Sequence, residues 1–512
     1  MSFVVAHQGE EEVAALLAEF FPKGEFGSWI GGALVPGTGA EVTLINPATA
    51  EAFLTYQDAG ESVVAAAAIA AVKAQASWWG LAASARGRLM WSCSVQVRNA
   101  AEQLAQLESI SAGKPIRDCR VEVIKVAEMF EYYAGWCDKL TGQVIAVPTS
   151  HLNYTRHEPY GVVTQITPWN APVFTAGWQI APAICAGNAV MLKPSELTPL
   201  TSTVLAKLIE DAGVPSGLVN VINGYGHTTG AAAIAHRATS KVIFVGSPKT
   251  GAAIASAAAL RVIPCVLELG GKSANIIFDD ADIDRAIVGA QAAVFAAAGQ
   301  SCVSGSRLLV QRRIYDQVVE RIANASTKLP VGLPWSEQTM IGPINNATQF
   351  ERIQALVAEG VGEGAVIAAG GQRAEVKGGQ NGYFYQPTVL ANVDNRMRVA
   401  QEEIFGPVVS VIPFEDEADA IALANDSRFG LGGAVWTANV GRAHRIAAQV
   451  NAGTFWVNCY KAINVMSPFG GFGESGYGRS SGYEGLLEYT RTKSVWVDTA
   501  QDGPIQFGYS VE

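Results

Sequence analysis

At 512 residues the chain exceeds what one compact core organises, so two or three domains are expected. Hydrophobic residues at 49% and charged residues at 16% describe a soluble globular protein and exclude a disordered one. The 36 basic and 46 acidic side chains leave a net charge of −10, which argues against nucleic-acid and anionic-membrane partners, since both favour basic patches.

No stretch supplies the roughly 18 charge-free apolar residues of a spanning helix. The start, M-S-F-V-V-A-H-Q-G-E-E-E, lacks a basic segment followed by an apolar one, so no secretory signal is expected. The seven cysteines are odd in number, scattered and without a C-x-x-C pair. They read as reduced thiols of a cytoplasmic protein, with neither a disulfide framework nor a zinc site. The six histidines show no ligand spacing, so no metal is expected.

Residues 1–60 read as short strands joined by turns. From Glu61 to about Trp136 the pattern is helical, with Val63, Ala67, Ile69 and Val72, then Leu104, Leu107 and Ile110, as the apolar repeats, and Gly113-Lys114-Pro115 as a turn. Lys125 in this region reads as part of a solvated helix face. Gly142 to Pro159 alternates apolar and polar residues, as a β-ribbon leaving the main core does. Lys493 to Asp498 reads as another strand, and a second subunit is one way to pair such exposed strands.

From Gly161 onward, strands alternate with helices. Gly161–Ile166, Ala189–Leu192, Val219–Ile222 and Val242–Val245 are apolar strands, each followed by a polar or glycine-rich turn. This pattern predicts a doubly wound parallel sheet with its ligand along the carboxyl ends of the strands. None of these strands is followed by G-x-G-x-x-G, so the standard dinucleotide fingerprint is missing. Residues 271–440 repeat the alternation and predict a second α/β domain. The glycines of Pro468 to Arg479 predict a loop without a regular element, wrapped close to a site.

The most informative stretch is Phe295 to Arg307, F-A-A-A-G-Q-S-C-V-S-G-S-R, in which small residues surround Cys302. Glu268, 34 residues upstream in L-E-L-G-G-K-S, offers a carboxylate. A thiol and a carboxylate form a nucleophile and base candidate pair. Together with P-W-N at Asn170, K-P-S-E at Lys193–Glu196, F-V-G-S ending at Ser247, E-E-I-F-G-P-V at 402–408, and P-F-G-G with S-G-x-G-R, these motifs resemble the non-acylating, NAD(P)-dependent aldehyde dehydrogenase superfamily along nearly the whole chain.

The resemblance implies an α/β fold: a Rossmann-type NAD-binding domain (1–141 and 160–269), an α/β catalytic domain (270–485), a β-ribbon oligomerisation arm (142–159 and 486–500), and a C-terminal tail (501–512). It implies a homo-oligomer, dimer or tetramer, acting on a small-molecule aldehyde. Cys302 is the implied nucleophile, Glu268 the general base and Asn170 an oxyanion donor. Ile166, Thr167, Trp169, Lys193, Ser195, Glu196, Gly226, Gly230, Phe244, Gly246, Ser247, Leu269, Glu403 and Phe405 are the implied cofactor contacts. Phe174, Trp178, Ser301, Val303, Ile463, Asn464 and Phe469 are the implied pocket walls.

Glu196 disfavours a 2′-phosphate, so NAD is expected before NADP, while Lys249 leaves NADP open. Asn464 and Lys125 are candidates for a polar or carboxylate tail of the substrate. Ser480 stands where relatives often carry a glutamate, which leaves Glu268 to act without a second carboxylate. Val245 replaces a common threonine. Two rival readings are a coenzyme A-acylating relative and a non-catalytic scaffold of the same fold. The intact Glu268 opposes the first, and the intact Cys302, Glu268 and Asn170 oppose the second.

Overall fold

The computed structural model describes residues 10–22 and 26–501, so all of the expected tail except Gln501 lies outside the described residues. Two α/β sheets and a small antiparallel sheet make up the framework. The first sheet has the order Ala33–Val35, Ser28–Ile30, Val219–Val221, Ala189–Lys193, Val162–Ile166, Thr239–Val245, Cys265–Glu268, Gly476–Tyr477. Its five inner strands run parallel, and the strands at both margins are antiparallel. Every residue of Val162–Ile166 and Ala189–Lys193 is buried, as expected for strands covered on both faces by helices.

The predicted helical region resolves into Gly60–Trp79, Ala83–Asn99, Ala101–Ala112 and Ile116–Ala134. In the first of these, the apolar face differs from the one expected. Val63 and Ala67 are buried, whereas Ile69 is 71% and Val72 52% exposed. The buried stripe runs Val63, Ala67, Ala71, Ala74, Trp78, at steps of three and four residues. Ile69, two residues beyond Ala67, is turned about 200° around a helix that advances about 100° per residue. Leu104, Leu107 and Ile110 are fully buried.

The second sheet has the order Val366–Ala369, Thr388–Ala391, Val408–Phe414, Arg307–Gln311, Ala274–Ile277, Gly432–Trp436, Thr454–Val457, parallel except at Val366–Ala369. Only five residues separate Glu268, which ends a strand of the first sheet, from Ala274, which begins a strand of the second. The chain therefore passes from the carboxyl edge of one sheet directly to the amino edge of the other. Thr490–Asp498 pairs along its whole length with His151–Pro159, and Val144–Ile145 adds a third, exposed strand.

The glycine-rich segment is more regular than its composition suggested. Phe472–Gly473 pairs with Phe429–Gly430, and Gly476–Tyr477 pairs antiparallel with Leu267–Glu268. Its glycines permit these close backbone approaches: a Cβ on Gly476, which has φ +109°, would collide with the Leu267 carbonyl.

Candidate active site

The thiol is placed by an unusual backbone. Helix Ile283–Phe295 ends, and Ala297, Ala298 and Gly299 then take left-handed φ of 55°, 52° and 71°. For each alanine that conformation costs about 1–2 kcal/mol, so the surroundings must hold it. Gln300 N–H donates to the Ala297 carbonyl (3.0 Å), and Asn345 N–H donates to Gln300 Oε1 (2.9 Å). Ser304 Oγ donates to the Gly299 carbonyl (3.2 Å). Arg307 closes the segment as a buried anchor: its guanidinium donates to Lys272 O, Leu423 O, Ala424 O and Asn395 Oδ1, all within 3.0 Å.

Glu268 reaches the same place from the first sheet. Ser475 O accepts from Leu269 N–H (3.0 Å), and Ser475 Oγ donates to Gly270 O (2.7 Å) while accepting from Gly430 N–H (3.0 Å). Gly271 meets the cysteine loop so closely that a Cβ there would stand 2.6 Å from the Cys302 carbonyl oxygen. Asn170 Nδ2 donates to Gln300 O (2.9 Å), two residues before the thiol.

Burial dominates the electrostatics. Glu268 is 5% exposed, and neither carboxylate oxygen has a hydrogen-bond partner among the described residues. Its pKa is pushed up to about 8 by burial, against the opposing pull of Ser480 and Arg479. Burial, with the nearby carboxylates Glu403 and Glu268, pushes the Cys302 thiol up to about 12, while Lys461 pulls it down. Glu403 is pushed up to about 7, again mainly by burial, and its Oε1 accepts from Gly271 N–H (3.1 Å). Ser480 Oγ accepts from Gln179 Nε2 (3.2 Å), so its hydroxyl belongs to a buried network around Gln179 and Tyr489.

A cavity of about 1010 Å³ joins Cys302, Glu268 and Asn170. Trp169, Gly246, Ser247, Glu403 and Phe405 line it as well, as do all of the expected pocket walls: Phe174, Trp178, Ser301, Val303, Ile463, Asn464 and Phe469. Phe174 stacks on Trp178 (5.1 Å), and Phe469 meets Trp178 edge-on (6.2 Å). Phe405, at φ 56°, packs edge-on to Trp169 (5.3 Å).

The other cofactor candidates stand outside that lining, at the adjoining strand ends. Lys193 Nζ pairs with Glu196 Oε2 at 3.0 Å. Ser195 Oγ accepts from Leu197 N–H (3.3 Å) in the turn that follows Lys193. Ile166, Phe244 and Leu269 pack into one small hydrophobic cluster. Thr167 Oγ1 is buried without a partner among the described residues, and a Cβ at Gly226 would meet open space. Gly230 lies beside Lys193 and Ile166, with room for a Cβ at van der Waals distance. Ser247 caps helix Pro248–Ala259, accepting from Thr250 N–H (3.3 Å). An orphaned hydroxyl, a buried lysine beside a carboxylate, open glycine positions and a helix N-terminus fit a ribose and pyrophosphate.

Lys125 pairs with Glu128 (2.7 Å) at the cavity wall, and Asn464 Oδ1 accepts from Met466 N–H (2.9 Å), so both tail candidates already have internal partners. Sequence reasoning took Ser475 only as part of the S-G-x-G-R motif and overlooked Lys461 and Tyr460. Only their closeness to the P-F-G-G segment could have drawn notice to them. Among the described residues, no group of three or more His, Cys, Asp or Glu side chains is arranged to hold a metal ion, and no helix is long and apolar enough to cross a membrane.

The aldehyde dehydrogenase family model matches residues 34–495. An aldehyde dehydrogenase of Emericella nidulans is 43% identical over 472 residues, 92% of this chain and 94% of its own. Human retinal dehydrogenase 2 is 42% identical over 469 residues, 91% of this chain and 90% of its own. The crystal structure of PnpE from Pseudomonas sp. WBC-3, known also in complex with nicotinamide adenine dinucleotide, superposes with a TM-score of 0.92 at 39% identity. It covers 94% of this chain and 100% of its own. The chain belongs to the aldehyde dehydrogenase family and is an NAD(P)-dependent enzyme that oxidises aldehydes.

Proposed function

We propose that Cys302 is the nucleophile of this oxidation, Glu268 its general base and Asn170 an oxyanion donor, with NAD as the cofactor. The observation that carries this reading is that all three side chains open into one cavity, with the Asn170 amide tied two residues from the thiol. Glu268, raised to about 8 by burial, accepts the thiol proton in its ionised form, so this step quickens as pH rises towards 8. The Cys302 sulfur attacks the aldehyde carbon and forms a tetrahedral thiohemiacetal. Asn170 Nδ2 carries two hydrogens; one serves Gln300 O, and the second is free for the oxyanion alongside the Cys302 N–H. Bound NAD supplies the hydride acceptor that no side chain provides. Once Glu268 has released the thiol proton to solvent, it takes a proton from water, which attacks the thioester; that proton passes to the departing sulfur, and the carboxylic acid leaves with the thiol regenerated.

Lys193 and Glu196 would hold the adenosine ribose, and Glu403 the nicotinamide ribose. The Glu196 carboxylate opposes a 2′-phosphate, which favours NAD over NADP. The aromatic walls suit a medium-sized aliphatic or aromatic aldehyde. The first sheet, apart from its edge strand Gly476–Tyr477, falls in the cofactor domain (1–141 and 160–269), the second in the catalytic domain (270–485), and the three-stranded sheet in an arm (142–159 and 486–500) for pairing copies in a dimer or tetramer. Seven free cysteines suit a reducing cytoplasm.

The test is NADH formation over an aldehyde panel. Cys302→Ala should abolish it, and Glu268→Gln should leave slow acylation without turnover. Full steady-state activity in either variant overturns the assignment.

A further inference from the structure

Lys461 is a cation in the aldehyde cavity that the mechanism above does not use. The chain goes to unusual lengths to place it. Asn458 and Lys461 both take left-handed φ, 52° and 58°, a conformation that a lysine adopts rarely. The loop between them is tied at three points. Asn458 exchanges two hydrogen bonds of 3.0 Å with the Thr437 backbone. Tyr460 donates its hydroxyl to the Val303 carbonyl (3.0 Å), one residue beyond the nucleophile. Ala462 O accepts from the Trp456 indole (3.0 Å), and the Trp456 ring lies 4.7 Å from that of Tyr460. Lys461 is thus held between two tethered neighbours, beside the thiol.

Its ammonium makes no hydrogen bond or ion pair among the described residues. Three carboxylates around the same cavity are already engaged elsewhere. Glu128 pairs with Lys125 (2.7 Å), Glu402 with Arg428 (3.3 Å), and Glu122 with the buried Lys114. Asp118 faces Lys461 through space but pairs with Arg117 (3.3 Å). Val303, Ile463 and Phe469, which cluster with Cys302, give the same cavity apolar walls. Burial draws the Lys461 pKa down to about 8, so the group feels the desolvation without a bonded partner to offset it. An anionic group on the ligand would supply that partner.

We propose that Lys461 recognises a carboxylate on the substrate, so that the preferred aldehydes are ω-carboxylate semialdehydes rather than neutral ones. This rests on the reading of Cys302 as the nucleophile. The aldehyde carbon meets the sulfur, the short carbon chain lies against the apolar walls, and the distal carboxylate pairs with the ammonium. Lys125 and Asn464, each with an internal partner, are secondary to it.

The test compares kcat/KM for a linear aldehyde and for the same aldehyde carrying a terminal carboxylate, using the full-length enzyme with NAD. The wild type should favour the carboxylate by about tenfold or more, since a site built for a charged group discriminates strongly against its absence. Lys461→Met should reduce that ratio about tenfold, mainly through KM for the acid, and Lys461→Glu should reverse it. Lys461→Arg should keep the preference for the acid. An equal fall for both aldehydes in Lys461→Met, with the ratio unchanged, overturns the proposal and leaves Lys461 acting only on the thiol. A wild type that oxidises the neutral aldehyde better also overturns it, while the nucleophile assignment survives. NADH formation undiminished in Cys302→Ala instead removes the foundation of both.

Discussion

Glu268 stands directly opposite Gly476 in an antiparallel pair, so the strand that carries the proposed base is bordered by the glycine-rich segment rather than by solvent. Hydrogen bonds from Leu269 N–H to Ser475 O and from Ser475 Oγ to Gly270 O lock the residues that follow the carboxylate. The position of the base therefore depends on a backbone more than 200 residues away in sequence.

Gly476→Ala tests this dependence. The new Cβ meets the Leu267 carbonyl, and φ +109° is foreign to alanine. The substitution should cost about 1–3 kcal/mol of local strain, shift the Glu268 strand and lower kcat. Thermal unfolding and steady-state rates measured on the same preparation check it. Wild-type values for both would show that the pairing does not hold the base.

Glu268→Gln has a prediction of its own in stability. The folded carboxyl titrates near 8, against an ordinary value near 4.5, so the unfolded chain gives up its proton first as pH rises. The wild type therefore loses stability between about pH 4.5 and about pH 8, and the loss is complete above about 8. The glutamine variant lacks this loss. Its Tm should equal that of the wild type near pH 4.5 and exceed it at pH 8, as scanning calorimetry across that range would show. A variant less stable at pH 8 contradicts the sign.

Asn170→Ala should lower kcat by about a hundredfold to a thousandfold, the usual effect of removing one oxyanion donor. Asn170 also tethers Gln300 O, so the cysteine loop will loosen to some degree. Asn170→Asp keeps a side chain of the same shape but offers no N–H when ionised, and it should be at least as impaired. An aspartate variant with near-normal kcat would exclude the amide as a donor.

Away from the chemistry, Lys114 and Glu108 form a buried pair at 3.6 Å, with exposures of 3% and 0%. Glu108 accepts from Thr201 Oγ1 (2.7 Å) and faces Val173 N–H in the first turn of the helix that carries Phe174 and Trp178. Lys114→Met removes the countercharge and should destabilise the fold by about 3–5 kcal/mol. Adding Glu108→Gln should recover part of that loss. Denaturant unfolding of the two variants measures the coupling, and strictly additive effects would show that the pair is independent.

The motifs that carry chemistry were readable because each needs particular residue types within a few positions of one another. Cys302 with its small neighbours, Glu268 between apolar residues and glycines, and the strand-turn pattern before Asn170 and Ser247 all meet in or beside one cavity. Features that depend on distant partners stayed hidden. Ile69 and Val72 look like core residues, but the alanines at 67, 71 and 74 allow a closer approach of the helix, so the larger side chains face outward. The left-handed alanines at 297 and 298 carry no local signature, since alanine, unlike glycine or asparagine, does not suggest that conformation. Nor does a lysine announce whether it pairs with neighbouring carboxylates, as Lys114 does with Glu108 and Glu122, or has no bonded partner among the described residues, as with Lys461. The glycine-rich segment gave the right location and the wrong regularity, because two-residue strands draw their order from the strands they join.

The pairing of Gly476–Tyr477 with Leu267–Glu268 also bears on how the enzyme comes into being at the ribosome. A growing chain that has just made Cys302 holds Asn170, Glu268 and the thiol, yet lacks the edge strand and Ser475, which complete the first sheet and fix the base. Lys461 and Phe469 arrive only shortly before them. The surroundings of the proposed base are therefore completed only once residues 475–477 have been made. A chain stopped before Ser475 would carry Cys302, Glu268 and Asn170 but lack the strand that borders the proposed base.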